Sequence, residues 1–258
     1  MSGQYIEPVF DPSPTSASAV NVTARAEMRW RGLPALPSQC EVCRSWALAR
    51  ICGACSARFA SPVTRCQRCA LRLPSGQPLC GNCLREPPPF EHTACAADYG
   101  FPWDRLIASF KFNGHAELAA PLARHITAAV VNGKLPRPDV VLPVPLSPAR
   151  LAERGYNQAW ELARRIARSL AAPARADVLL RPVDTAHQAD LTRAQRLVNL
   201  RTAFMVDPRQ RALLAGRRVA LVDDVLTTGA TAREAALTLL RAGAGAVDIW
   251  VLARTPDA

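Results

Sequence analysis

The stretch Arg218 to Thr231, RVALVDDVLTTGAT, constrains the fold more than any other part of the chain. Arg218 to Val222 is an apolar run of buried-strand type, and it ends in the carboxylates Asp223 and Asp224. A Thr/Gly-rich turn follows, Thr227-Thr228-Gly229-Ala230-Thr231, and helical spacing then runs from Thr231 to Arg241, where Gly243 and Gly245 stop it. In open α/β sheets, ligands sit at the carboxyl ends of strands. The turn offers backbone N–H groups and hydroxyls at a helix N-terminus, where unpaired donors and the helix dipole both favour an anion. Gly229 lets the backbone approach such a ligand closely. Asp223 and Asp224 can accept hydrogen bonds from the two hydroxyls of a ribose, and one can reach Mg²⁺ directly or through water. A lone Asp-Asp is more often a cap, and a lone Thr-Gly a turn. The whole string in this order points to a phosphate cradle.

The rest of the C-terminal two-thirds repeats the alternation. Ala94 to Tyr99 predicts a short strand, and Trp103 to Phe112 and Glu117 to Val131 have helical apolar spacing. Asp139 to Val144 is a second buried-strand run, punctuated by Pro143 and Pro145. Asn157 to Leu170 is an amphipathic helix with Asn157 as its N-cap, and Asp248 to Ala253 closes with a strand. Strands alternating with helices predict a Rossmann-like parallel sheet covered on both faces.

The first third is different. Residues 1–38, rich in Ser, Pro, Ala and Thr, read as a disordered leader. Residues 39–92 hold four CxxC pairs, Cys40/Cys43, Cys52/Cys55, Cys66/Cys69 and Cys80/Cys83, and end in a stiff Pro87-Pro88-Pro89 linker. Residues 93–258 form the sheet domain. Each CxxC puts two thiolates on one side of a tight knuckle, and two knuckles make a closed tetrahedral site, so the eight sulfurs predict two structural Zn²⁺ ions. Sequential use, first pair with second and third with fourth, is the favoured arrangement, and interleaving is the alternative. Four evenly spaced pairs are not a thioredoxin pattern, and an iron–sulfur cluster is a minor alternative. Gly53 and Gly81 sit inside knuckles, where positive φ is often needed. Cys95 is left over and reads as a small buried residue.

Several strings carry a resemblance. They are the strand–carboxylate–turn string, Phe110-Lys111-Phe112-Asn113-Gly114, PVPLSPARLAERGYNQA from Pro143, RPVDTAHQADLTRAQRLVNL from Arg181, and the N-terminal ribbon. Together they resemble the ComF family, competence-associated proteins with a type I phosphoribosyltransferase-like domain, over about residues 40 to 255. The resemblance implies binding of phosphoribosyl pyrophosphate (PRPP), or a related sugar phosphate, at Asp223, Asp224 and Thr227 through Thr231. It also implies a pyrophosphate and substrate loop made by Lys111, Arg150, Arg154, Gly155, Asn157 and Gln158. Arginines there can meet phosphate oxygens bidentately. Arg181, Arg193, Arg196 and Arg201 belong to a hood or base-binding segment on this reading, and a solvated charged helix is the plain alternative. One position departs from the wider superfamily. Thr227 stands where many purine-salvage members carry an acidic residue, and its hydroxyl is no acid or base at neutral pH.

The formal net charge is +11, and Lys111 and Lys134 are the only lysines among the basic residues. Such a charge favours anionic partners, and an Arg-rich bias from codon composition is the plain alternative. Between Cys40 and Glu91 seven arginines meet three glutamates, interleaved with Trp46 and Phe59. That pattern suits weak, salt-dependent binding of single-stranded DNA. The chain has no long apolar run for membrane insertion and no secretory start, so a cytoplasmic protein is expected. Two readings follow. One is a Mg²⁺-dependent phosphoribosyltransferase with an acceptor the sequence does not name. The other is a non-catalytic PRPP sensor, or an adaptor for single-stranded DNA or protein. The resemblance implies a role in natural competence and DNA transformation, next to a competence helicase or recombination proteins, or in using DNA as a nutrient and in nucleoside metabolism.

Overall fold

A computed structural model describes residues 36–74, 76–182 and 203–256. The leader up to residue 35, and the arginine-rich segment from residue 183 to 202, lie outside them.

The centre is a four-stranded, wholly parallel sheet of order β3-β8-β7-β4, formed by β3 (Thr93–Asp98), β8 (Ala246–Arg254), β7 (Arg218–Leu226) and β4 (Val140–Pro143). Its residues divide by the two-residue period of a strand. Val141, Ala220, Val222, Trp250 and Leu252 face one core, which α3 (Trp103–Phe112), α4 (Ala119–Asn132) and α6 (Gln158–Ser169) cover. Val140, Leu142, Val219, Leu221, Ile249 and Val251 face a second core under α7 (Ala230–Arg241). Burial on both faces explains why β8 is buried at every position. Two antiparallel pairs, β1 (Ser38–Gln39) with β2 (Trp46–Ala47) and β5 (Leu179–Leu180) with β6 (Met205–Val206), stand outside the main sheet.

Two local features differ from expectation. β7 does not stop before the carboxylates: it runs through Asp223 and Asp224 to Leu226, because β8 stays in register beside it up to Arg254. The segment after β4 is not all loop. Ser147 caps a short helix, α5 (Pro148–Arg154), with proline in its first turn, and Gly155 ends it in the left-handed conformation at φ 74°.

The cysteine-rich segment consists of two modules built on one plan. In each, the first knuckle closes with a bond from the residue after its second cysteine, Arg44 N–H to Cys40 O at 2.9 Å and Ala70 N–H to Cys66 O at 2.8 Å. In each, the second knuckle opens a short helix, α1 (Gly53–Phe59) and α2 (Gly81–Arg85), whose N-cap is the sulfur of Cys52 or Cys80. The left-handed positions fall on Arg44 (φ 62°) and Ala70 (φ 58°). Gly53 and Gly81 are instead the first helical residues, so the positive φ expected of them belongs to their neighbours' knuckles.

Candidate functional site

The carboxyl edge of the sheet collects most of the residues singled out in the sequence. Asp223 and Asp224 lie on consecutive positions near the end of β7, so their side chains leave opposite faces of the strand. Asp224 is buried at 7% exposure, and Lys111, from the last turn of α3, places its Nζ 2.7 Å from Asp224 Oδ1. Asp223 turns its carboxylate back to accept the N–H of Asp224 at 2.9 Å. Beyond Leu226 the turn Thr227–Thr231 leads into α7. Gly229, at φ 80°, is the helix N-cap and offers no side-chain acceptor to the first turn. The Ala230 N–H reaches the Thr228 hydroxyl at 3.4 Å, and with glycine as N-cap the start of this helix suits an anion. Thr227 and Thr228 are exposed.

The loop after β4 comes to the same side. Arg154 lies with its guanidinium 5.1 Å from the centroid of the Phe112 ring and donates to Gln158 Oε1 at 3.2 Å, while its Nε is buried with no acceptor among the described residues. Arg150 is exposed. Asn157 and Gln158 are engaged by the protein itself. Asn157 caps α6 through Trp160 N–H at 3.3 Å and donates to Val144 O at 3.1 Å, and Gln158, 2% exposed, donates to Lys111 O at 3.4 Å. They brace the loop against α3 and so set where Lys111 and Arg154 stand. Tyr156, which the sequence did not mark, does the same through its hydroxyl, donated to Phe110 O.

The eight sulfurs form two clusters, Cys40/Cys43/Cys52/Cys55 and Cys66/Cys69/Cys80/Cys83, with all ligand atoms of each within 4.8 Å of one another. The sequential grouping is the one observed. Cys43 and Cys52 sulfurs are 3.7 Å apart, and Cys69 and Cys80 sulfurs 3.6 Å apart. A tetrahedral ion with metal–sulfur bonds of about 2.3 Å sets its sulfurs about 3.8 Å apart. Backbone N–H groups point at the sulfurs, Cys52 N–H to Cys40 and Cys80 N–H to Cys66, each at 3.3 Å. The donor set fits a closed metal centre. Glu91, His92 and Asp248 also gather, but Arg218 joins them with ion pairs of 2.8 Å to Glu91 and 3.1 Å to Asp248. That group is a charge network.

No family model matches the chain. Among solved structures it is similar to the allosteric regulatory enzyme of purine biosynthesis, at 22% identity and a TM-score of 0.35 over 53% of this chain and 25% of that one. It is 34% identical over 208 residues to competence protein F of Haemophilus influenzae, covering 79% of this chain and 90% of that one. It is 36% identical over 227 residues to DNA utilization protein YhgH of Escherichia coli K12, covering 85% of this chain and 98% of that one. The chain belongs to the ComF family.

As expected for a ComF-family chain, a wholly parallel sheet is accompanied by two Cys₄ clusters. Its site has a marked electrostatic character. Burial, and then the neighbouring Asp224 carboxylate, push the Asp223 carboxyl up to about 7, against the pull of Lys111 and Arg181. The ribbon aromatics divide: Trp46 is 71% exposed, whereas Phe59 packs edge-on against Phe101 at 5.6 Å. Cys95 is half-buried, with its thiol pushed up to about 11 by burial. A cavity of about 460 Å³ between residues 60–67, β3 and the end of α4 includes none of the carboxyl-edge residues. One member of the carboxyl edge escaped the sequence, Arg254. It closes β8, and its only signal was a charge following the apolar run Ile249 to Ala253. No helix among the described residues is long and apolar enough to cross a membrane.

Proposed function

We propose that this ComF-family protein binds PRPP, or a closely related sugar phosphate, with Mg²⁺ at the carboxyl edge of its sheet, and works in the cytoplasm in DNA uptake and use. The observation that carries the reading is the meeting of Asp223, Asp224 and Lys111 with a helix start whose N-cap is Gly229. Ribose hydroxyls donate to the two carboxylates, and the N–H groups of Thr228 to Thr231 receive the 5-phosphate. Lys111, Arg150 and Arg154 meet the pyrophosphate, and the buried, unmatched Nε of Arg154 is a donor waiting for such an acceptor. Asp223, whose ionisation is disfavoured by burial and by Asp224, suits a nearby cation. Mg²⁺ held by these carboxylates, directly or through water, supplies charge neutralisation of the pyrophosphate. Two Zn²⁺ ions fill the Cys₄ clusters and are structural. The DNA role is supported by the name of the Escherichia coli relative, a DNA utilization protein, and of the Haemophilus relative, a competence protein. Exposed Trp46 among the ribbon arginines suits weak contact with single-stranded DNA. Competence helicases and recombination proteins fit the same role.

A transferase would break the bond from the ribose to pyrophosphate and join the same carbon to an acceptor. A second reading is a sensor or adaptor that binds without transfer; Thr227, which is no acid or base, argues against purine salvage and does not decide between transfer and binding alone. Pyrophosphate release in a screen of nucleobases, nucleotides and DNA separates the two. Release with any acceptor establishes the transferase, whereas a Mg²⁺-dependent rise of the melting point with PRPP and no release under any condition establishes the sensor.

A further inference from the structure

Arg254 ties the second Cys₄ module to the phosphate turn. It is the last residue of β8 and is 8% exposed. Its Nε donates to the carbonyl of Cys69 at 3.0 Å, inside the first knuckle of that module. Its Nη1 donates to the carbonyl of Thr227 at 2.7 Å and of Leu226 at 3.4 Å, and also to Thr255 O. Thr255 N–H holds the Leu226 carbonyl as well, at 3.1 Å.

The consequence follows from peptide geometry. In a planar trans peptide the carbonyl and the next N–H point in opposite directions. Carbonyls of Leu226 and Thr227 drawn to Arg254 therefore turn the N–H groups of Thr227 and Thr228 away from it. Successive N–H groups on one side of a turn make an anion-binding concavity. The guanidinium also leaves a fixed positive charge behind the turn.

The other end of the tie depends on the metal centre. The second module has a small apolar cluster of its own, Cys66, Cys80 and Cys83 with Leu71, Leu73 and Leu79 beside them. A cluster that small holds its shape through its metal. When it opens, the Cys69 carbonyl leaves, and a buried guanidinium donor loses its partner.

We propose that Arg254 is a positioning residue through which the metal-bound second module holds the phosphate turn in its anion-binding form. The ligand part of this proposal rests on the PRPP reading above; the coupling of module to turn does not. The test therefore has two readouts, amide hydrogen exchange across 226–231 in ligand-free protein and calorimetric titration with Mg²⁺-PRPP. Arg254→Met and Cys69→Ser should each speed exchange across the turn and weaken PRPP about tenfold. The double variant should be no worse than either alone, because both cut one connection. Arg254→Lys, which keeps the charge but loses the fork, should fall between wild type and Arg254→Met, and it serves if the methionine variant fails to fold. Glu86→Ala, which removes only the module's exposed contact to Arg233 on α7, should change neither readout. Exchange at the turn unaltered in Cys69→Ser, or effects that add in the double variant, overturns the proposal. Exchange coupling in a protein that binds no PRPP sinks the PRPP reading and leaves the coupling standing.

Discussion

The first Cys₄ module is attached to the sheet domain by apolar burial, the second by charged and polar bonds. Cys40, Ile51 and Cys55 belong to the same core cluster as Trp103, Ile107 and Ile126, and Trp103 donates its indole N–H to Phe59 O at 2.7 Å. The second module keeps its leucines to itself and reaches the sheet through Arg65 to Asp98 at 2.6 Å, Thr93 N–H to Gln67 O at 2.8 Å and Arg254 to Cys69. Equal ligand spacing thus gives the same knuckles but not the same coupling. What differs is the chain between and after the cysteines, where Ile51 and Phe59 serve one module and Arg65 and Gln67 the other.

The largest expected effect comes from breaking each metal centre in turn. The wild type should carry two zinc ions, and Cys55→Ser and Cys66→Ser one each. Loss of the first centre should destabilise the whole sheet domain by about 3–5 kcal/mol, since it opens the core around Trp103. Loss of the second should unfold its own module and move the sheet's unfolding by about 1 kcal/mol or less. Calorimetric unfolding with metal analysis reads both, and equal shifts would erase the contrast.

A single apolar deletion sharpens the same point. Ile51→Ala, at a residue 4% exposed, should destabilise the sheet domain by about 2–5 kcal/mol in denaturant unfolding. Leu71→Ala, on the partly buried leucine of the second module, should leave the sheet transition in place and speed exchange only within that module.

A pH dependence is expected at the edge that the second module supports. A carboxyl raised from 3.8 to about 7 keeps its proton in the folded protein across that window, so Asp223 lowers stability as pH rises through it. PRPP binding should run the other way. Ribose hydroxyls need the carboxylate, so affinity should rise by up to about tenfold per pH unit below about 7 and level off above it. Asp223→Asn should flatten both slopes, and a wild type with flat profiles would contradict the assignment.

Much of this was legible in the sequence where a period or a spacing carries it. Trp103–Phe112 and the Asn157 cap follow from apolar spacing and capping chemistry, and the eight metal-type cysteines follow from the CxxC spacing, whereas their sequential grouping, favoured over interleaving, needed the fold. Asp223 and Asp224 looked like the end of a strand because carboxylates are rare inside one, yet ladder pairing with β8 carries the strand past them. The helix Pro148–Arg154 buries no residue, so it lacks the apolar stripe that betrays a helix. Arg254 was invisible for another reason: its partners Cys69 and Thr227 lie 185 and 27 residues away, and only the fold brings them together.

The most direct test of the account is a calorimetric titration of Mg²⁺-PRPP into the wild type and into the double variant Asp223→Asn with Asp224→Asn, at pH 8. Saturable binding to the wild type is expected, with a loss of at least about a hundredfold in a double variant whose sheet still unfolds cooperatively, because two ribose hydroxyls lose their charged acceptors. Equal affinity in the two proteins, or no binding to a zinc-loaded wild type, would contradict it.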